Sequence, residues 1–220
     1  MVSREYPCYP QKMKNWQEWR KQQRTELMAR REAITAEDRH RWSAAITASL
    51  EQGFPLLQKN VVGFCWPYRG EYDPRPAMNF LHAHGATLAL PEVQENGAPL
   101  LFRQWWPEAP MKTGAYAIPV PDNTEVMTVG AIIMPLVGFD QQGYRLGYGG
   151  GYFDRTLAAI DPRPLTIGVA FEILRLDSVH PQPHDIAMDF IVTEAGIYRV
   201  TDDGLVAIST EECAAAHALK

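Results

Sequence analysis

The residues best suited to chemistry lie in one run, Gly143-Tyr-Arg-Leu-Gly-Tyr-Gly-Gly-Gly-Tyr-Phe-Asp-Arg155. It follows a short apolar segment, Ala131–Pro135, that reads as a buried strand, and it leads into Asp154–Ile160, which reads as a helix. A glycine-rich passage from strand to helix lets backbone N–H groups approach an anion, and the helix dipole favours negative charge there. Arg145 and Arg155 add fixed positive charge in a planar geometry that matches phosphate. Glycines also allow a tight turn that only packs backbone on backbone. The flanking arginines and the aspartate at the helix start favour a phosphate site. The spacing is not G-x-G-x-x-G, and no Gly-Lys-Ser/Thr follows, so neither a dinucleotide fingerprint nor a Walker loop is present.

The run resembles the Arg-Leu-Gly-x-Gly-x-Gly-Tyr-Tyr-Asp signature of the 5-formyltetrahydrofolate cyclo-ligase family, with Phe153 in place of the second tyrosine. The resemblance extends over roughly residues 15–195. It implies ATP- and Mg²⁺-dependent cyclisation of 5-formyltetrahydrofolate to 5,10-methenyltetrahydrofolate. ATP phosphorylates the formyl oxygen, nitrogen-10 attacks the activated carbon, and ADP and phosphate leave. Positioning and charge neutralisation are the main demands of such a reaction. The implied ATP ligands are Arg20 and Arg24, which match a Lys-x-x-x-Arg pair with arginine in place of lysine, together with Arg145, Gly147, Tyr148, Gly149, Gly150, Gly151, Tyr152 and Phe153. Arg145 and Tyr152 are the expected catalytic side chains. Glu71, in Trp66-Pro-Tyr-Arg-Gly-Glu71, matches a folate-contacting glutamate, and Trp66, Phe102, Tyr148 and Tyr152 are candidate walls for the pterin ring. Asp154 matches a Mg²⁺-associated carboxylate, as does Asp189 in His184-Asp-Ile-Ala-Met-Asp189.

Three stretches depart from the family pattern. Tyr116-Ala-Ile-Pro-Val-Pro121 stands for Phe-Gly-Ile-x-Glu-Pro and loses its glycine and glutamate. Gly130 stands for an aspartate, and His180 and Gln182 stand for proline and glutamate. Two other functions therefore stay open: a folate- or nucleotide-binding regulator, and an ATP-dependent enzyme acting on another heterocycle.

These groups need elements to position them. Asn15 to about Ala33 reads as a helix, which would put Arg20 and Arg24 on one face, with Arg31 continuing that side. Thr35 looks like the cap of a second helix, whose stripe is Trp42, Ala45, Ile46, Ser49 and Leu50 and whose end is Gly53. Pro74–Gly85 reads as a further helix. Val61–Trp66, Ala86–Pro91, Leu100–Trp106, Ala131–Pro135 and Leu165–Phe171 read as strands, and Phe190–Thr193 with Ile197–Val200 as a hairpin. This alternation predicts one α/β domain over residues 1–220, a mainly parallel sheet flanked by helices on both faces in a Rossmann-like three-layer arrangement. Residues 201–220 read as a flexible tail. Ligands in such folds bind beyond the carboxyl ends of the strands.

Composition agrees with a globular enzyme: 46% hydrophobic and 21% charged. Residues 1–41 carry ten Lys/Arg against six Asp/Glu, yet the net charge is −5, so a small polyanion suits the chain better than nucleic acid. The expected partners are ATP and a small-molecule folate. No apolar run is long enough to span a membrane, Met1–Pro10 lacks the apolar core of a secretory signal, and Cys8, Cys65 and Cys213 show no ligand spacing. A monomer in the cytoplasm is the expectation.

Overall fold

The computed structural model describes residues 15–217, so Cys8 and the Met1–Pro10 segment lie outside the described residues. The expected helices are present as α1 (Trp16–Glu32), α2 (Ala36–Gly53) and α3 (Arg75–Ala83). Thr35 caps α2 by accepting from the Asp38 amide at 3.0 Å. Ile46 and Leu50 are fully buried, as the stripe requires.

Strands β1 (Val61–Phe64), β2 (Thr87–Glu92), β3 (Leu101–Trp105), β6 (Ala131–Pro135), β9 (Leu165–Val169), β11 (Phe190–Thr193), β12 (Gly196–Thr201) and β13 (Gly204–Ile208) form one sheet in the order β13-β12-β11-β9-β6-β1-β2-β3. The run from β11 to β2 is parallel; β3 at one edge and β12 and β13 at the other pair antiparallel. The near-continuous apolar sequences of β6 and β11 follow from burial on both faces. Between β6 and β9 lies α4 (Tyr152–Ala159). From β1 the chain winds toward β2, and from β6 it winds toward β9, so the strand order reverses between β1 and β6. Right-handed crossovers running in opposite directions place α3 and α4 on opposite faces. The crevice at the carboxyl ends of β1 and β6 is the switch point where such sheets bind ligands.

Several elements are not evident from the sequence. Strands β4 (Met111–Thr113) and β5 (Pro119–Pro121) make a separate hairpin. Strands β7 (Gly138–Asp140) and β8 (Arg145–Leu146) make another, with β10 (Arg175–Leu176) beside β7. The Gly143–Leu146 part of the glycine-rich run is therefore the turn and return strand of a hairpin. The Asp140 carboxylate holds that turn, accepting the amides of Gln142, Tyr144 and Val179, each at 3.0 Å. The strand-to-helix loop is reduced to Gly147–Gly151, and the helix starts at Tyr152, two residues before the expected Asp154. In place of a flexible tail, residues 204–208 form β13 and Thr210–His217 form α5, which packs on α2.

Candidate functional site

At the switch point lies a cleft of about 1060 Å³. Its floor is the loop after β1, which carries Trp66 and Glu71, and the loop Gly147–Gly151. Helix α1 brings Arg20 and Arg24 over the loop, and the segment before β11 contributes Asp185. The other half of the cleft is apolar, with Leu90, Val93, Ile118 and Val120 in its wall.

Within the loop, Gly149 (φ +98°) and Gly151 (φ +63°) occupy left-handed conformations that favour glycine. Gly151 precedes α4 and provides no side-chain cap. The first turn of α4, whose amides have no intrahelical partners, lines the cleft. Arg24 Nε donates to the Gly147 carbonyl at 2.8 Å. Among the described residues neither Nη of Arg24 has a hydrogen-bond partner, and the guanidinium lies beside Gly149. Burial and the neighbouring Arg20 charge lower the Arg24 pKa. Arg155 donates to the Gly150 carbonyl at 2.5 Å, and its buried Nε has no partner.

The other two arginines are differently employed. Arg20, expected to hold ATP, spends its donors on the carbonyls of Val179 (2.9 Å) and His180 (3.1 Å) and on the Asp185 carboxylate (2.5 Å). It clamps the segment before β11 against α1. Arg145 Nη2 donates to Asp154 Oδ1 at 2.6 Å and Nη1 to the Ile186 carbonyl at 2.8 Å. Burial lowers its pKa, opposed by Asp154 and Asp185. Its charge neutralises Asp154, which would otherwise repel an anion at the start of α4.

Glu71 is buried against the same loop. Its Oε1 accepts from the Tyr148 hydroxyl at 2.6 Å, its Oε2 accepts from the Tyr68 amide at 2.9 Å, and Arg31 lies 3.6 Å away. Desolvation raises the Glu71 pKa, opposed by the Tyr148 hydrogen bond and the Arg31 charge. Trp66 lines the cleft with Arg75 stacked on its far side at 4.9 Å. Tyr152 stands at the rim, where its hydroxyl donates to Asn96 (3.3 Å) and lies 3.5 Å from that of Tyr116. Phe153 packs its side chain on the core while bordering the cleft.

Two expected site residues are elsewhere. Phe102 is 3% exposed and its ring covers Gly63, where an added β-carbon would meet it at 2.6 Å. It is core: its ring reaches past β2 and fills the space that Gly63, two strands away, leaves by having no side chain. Asp189 does not join Asp154. Its Oδ2 accepts from Thr166 N (2.8 Å) and Oγ1 (2.7 Å) at the start of β9, and its Oδ1 pairs with Arg163. Asp154 sits in the first turn of α4, after the carboxyl end of β6, whereas Asp189 is hydrogen-bonded to Thr166 at the amino-terminal start of β9, the opposite edge of the parallel sheet. No group of three or more His, Cys, Asp or Glu side chains suited to a metal occurs among the described residues. Two residues to which the sequence assigned no site role also line the cleft, Asp185 inside the His184–Asp189 motif and Tyr116, and Arg31, on the Arg20–Arg24 side of α1, is buried beside Glu71 and Tyr148.

Fold and site together define a doubly wound α/β protein with a glycine-rich loop at its switch point. The family model described as "5-formyltetrahydrofolate cyclo-ligase family" matches residues 16–194. The chain belongs to that family. It is 26% identical to the 5-formyltetrahydrofolate cyclo-ligase of Escherichia coli K12 over 180 residues, covering 79% of this chain and 99% of that one. It is likewise 26% identical to that of Haemophilus influenzae over 176 residues, covering 77% and 94%. The solved structure of Aquifex aeolicus 5,10-methenyltetrahydrofolate synthetase matches with a TM-score of 0.71 at 29% identity, covering 82% of this chain and 92% of that one. No helix among the described residues is long and apolar enough to cross a membrane.

Proposed function

We propose that the chain carries out the reaction for which its relatives are named, closing 5-formyltetrahydrofolate to 5,10-methenyltetrahydrofolate with ATP converted to ADP and phosphate. The observation that carries this reading is a set of donors left open among the described residues: an uncapped α4, the Nη groups of Arg24 and the buried Nε of Arg155 lie beside a largely apolar cleft that ends at Glu71. ATP phosphates suit these donors, which otherwise lose solvation without compensation. The pterin ring lies against Trp66 and Tyr148, with Glu71 accepting from its polar edge.

The formyl oxygen is a poor leaving group until phosphorylated. The chain's part is to hold that oxygen next to the γ-phosphoryl group, spread the developing charge over Arg24, Arg155 and the loop amides, and exclude water while nitrogen-10 attacks. Arg145 keeps Asp154 neutralised, and Tyr152 closes the rim. Mg²⁺ does not fit between Asp154 and Asp189, which pair with Arg145 and Arg163 and not with each other. Asp154, with Oδ2 free of partners among the described residues, is the carboxylate that would meet a phosphate-bound ion. The ligands are small molecules, and the cytoplasm suits their supply.

Incubation with ATP, Mg²⁺ and 5-formyltetrahydrofolate, followed by the near-ultraviolet absorbance of the methenyl product, tests the reading. Val120, buried in the cleft wall where the family pattern has glutamate, favours one alternative: the same ATP machinery acting on a less polar heterocycle. ATP turnover only with another acceptor would select it. Ligand binding with no turnover would indicate a regulator.

A further inference from the structure

Arg31 borders no part of the cleft, yet at 1% exposure it is buried directly behind it. Its guanidinium joins three separate pieces of the switch point. Nε donates to the Arg69 carbonyl in the loop after β1 at 3.1 Å, Nη1 to the Leu136 carbonyl just past β6 at 3.5 Å, and Nη2 to the Tyr148 hydroxyl in the glycine loop at 2.7 Å. That hydroxyl, fixed as an acceptor on one side, donates its own proton to Glu71 Oε1 at 2.6 Å. Arg39 in turn holds the Arg31 carbonyl at 2.8 Å. A buried arginine needs only satisfied donors. This one is satisfied by two loops that the proposed reaction assigns to different substrates.

We propose that Arg31 is a positioning residue: through the Tyr148 hydroxyl it fixes the Glu71 carboxylate relative to the phosphate loop, holding folate and nucleotide in one register without touching either. The inference rests on the function proposed above. Lysine cannot replace it, because one ammonium nitrogen cannot reach three acceptors that diverge around a planar fork. Tyr148 is the intermediate because its ring is half-exposed to the cleft while its hydroxyl is turned inward to the Arg31–Glu71 pair.

Steady-state kinetics, 5-formyltetrahydrofolate affinity from quenching of tryptophan fluorescence, and thermal melting on the parent, Arg31→Lys, Tyr148→Phe and the double variant test it. Arg31→Lys should raise the folate KM and Kd by about tenfold, the size of one lost charge-assisted hydrogen bond, with a much smaller change in the ATP KM. Tyr148→Phe should do the same at nearly parental melting temperature. The double variant should lose less than the product of the single effects, since both changes cut the Arg31–Tyr148–Glu71 path and only the direct Arg31–Glu71 pair at 3.6 Å lies outside it. Multiplying effects, or a lowered melting temperature with unchanged folate affinity, would overturn the proposal. If Arg31→Lys does not fold, Tyr148→Phe decides: parental folate affinity overturns it. A parent that binds folate but makes no methenyl product defeats the functional reading alone, and the Kd comparison still decides for Arg31. A parent that does not bind folate overturns both.

Discussion

Arg24 Nε donates to the Gly147 carbonyl at 2.8 Å, tying α1 to the first residue of the glycine-rich loop. The bond orients the guanidinium so that its two Nη groups are left for a ligand. Arg20, one helical turn earlier, has no such freedom, because its donors end on Val179, His180 and Asp185.

The two arginines should therefore fail differently. Arg24→Ala should raise the ATP KM ten- to a hundredfold, corresponding to about 1.5–3 kcal/mol for lost charged hydrogen bonds, at nearly constant melting temperature. Arg20→Ala should lower the melting temperature and leave Asp185 unpaired, affecting both substrates. Kinetics and melting on the same preparations check this; equal ATP effects with equal stability would contradict it.

Gly149 separates an anion cradle from an ordinary turn. At φ +98° a β-carbon is strained, and it would stand 3.2 Å from Arg24 Cζ. Gly149→Ala should cost about 1–3 kcal/mol of local strain. It should weaken ATP binding at least tenfold, by displacing the guanidinium and crowding the phosphate. Calorimetric titration with ATP alongside a melting curve reads both; a large fall in melting temperature with parental ATP affinity would mean that the loop is only a turn.

The two aspartates expected to share Mg²⁺ should part company. Asp189→Asn removes the carboxylate that pairs with Arg163 and receives two hydrogen bonds from Thr166. It should cost about 1–3 kcal/mol of stability and leave the Mg²⁺ dependence of the rate unchanged. Asp154→Asn frees Arg145 of its partner and should shift the Mg²⁺ titration. A raised Mg²⁺ requirement in Asp189→Asn would restore the pair.

Ala117, in place of the family's glycine, has φ +59° beside Tyr116 at φ +56°. Left-handed strain on alanine, about 1–2 kcal/mol, exceeds the roughly 0.5–1 kcal/mol of entropy that glycine gains on unfolding, so Ala117→Gly should stabilise the protein by about 0.5–1 kcal/mol. Chemical denaturation of the two proteins measures it.

The parallel strands and first three helices were legible because each is long enough to show its period or its continuous burial, as in Ala131–Pro135 and the Ile46–Leu50 stripe. Hairpins β4–β5 and β7–β8 have strands of two or three residues, too short to show alternation, and prolines at both ends of β5 disguise it. The glycine loop stands out by residue type and spacing, whereas Arg24 and Glu71 stand out only through the family resemblance and Trp66 through its place beside Glu71. The places of Phe102 and Asp189 were not legible, because a side chain's neighbours across a sheet depend on register. Only Gly63 under the Phe102 ring, and Thr166 beside Asp189, reveal that one fills the core and the other ties the start of β9 to β11. Arg31 was hidden for a related reason: an arginine on a polar helix reads as solvated until three loops are seen to converge on it.

The central claim is that the cleft joins ATP to the formyl oxygen. It is tested most directly with 5-formyltetrahydrofolate carrying oxygen-18 in the formyl group, turned over with unlabelled ATP and Mg²⁺, and mass analysis of the released phosphate. The account predicts one oxygen-18 in each phosphate, in step with methenyl product, because the oxygen that leaves the folate is the one that was phosphorylated. Phosphate without label, whether or not ATP is consumed, would contradict it.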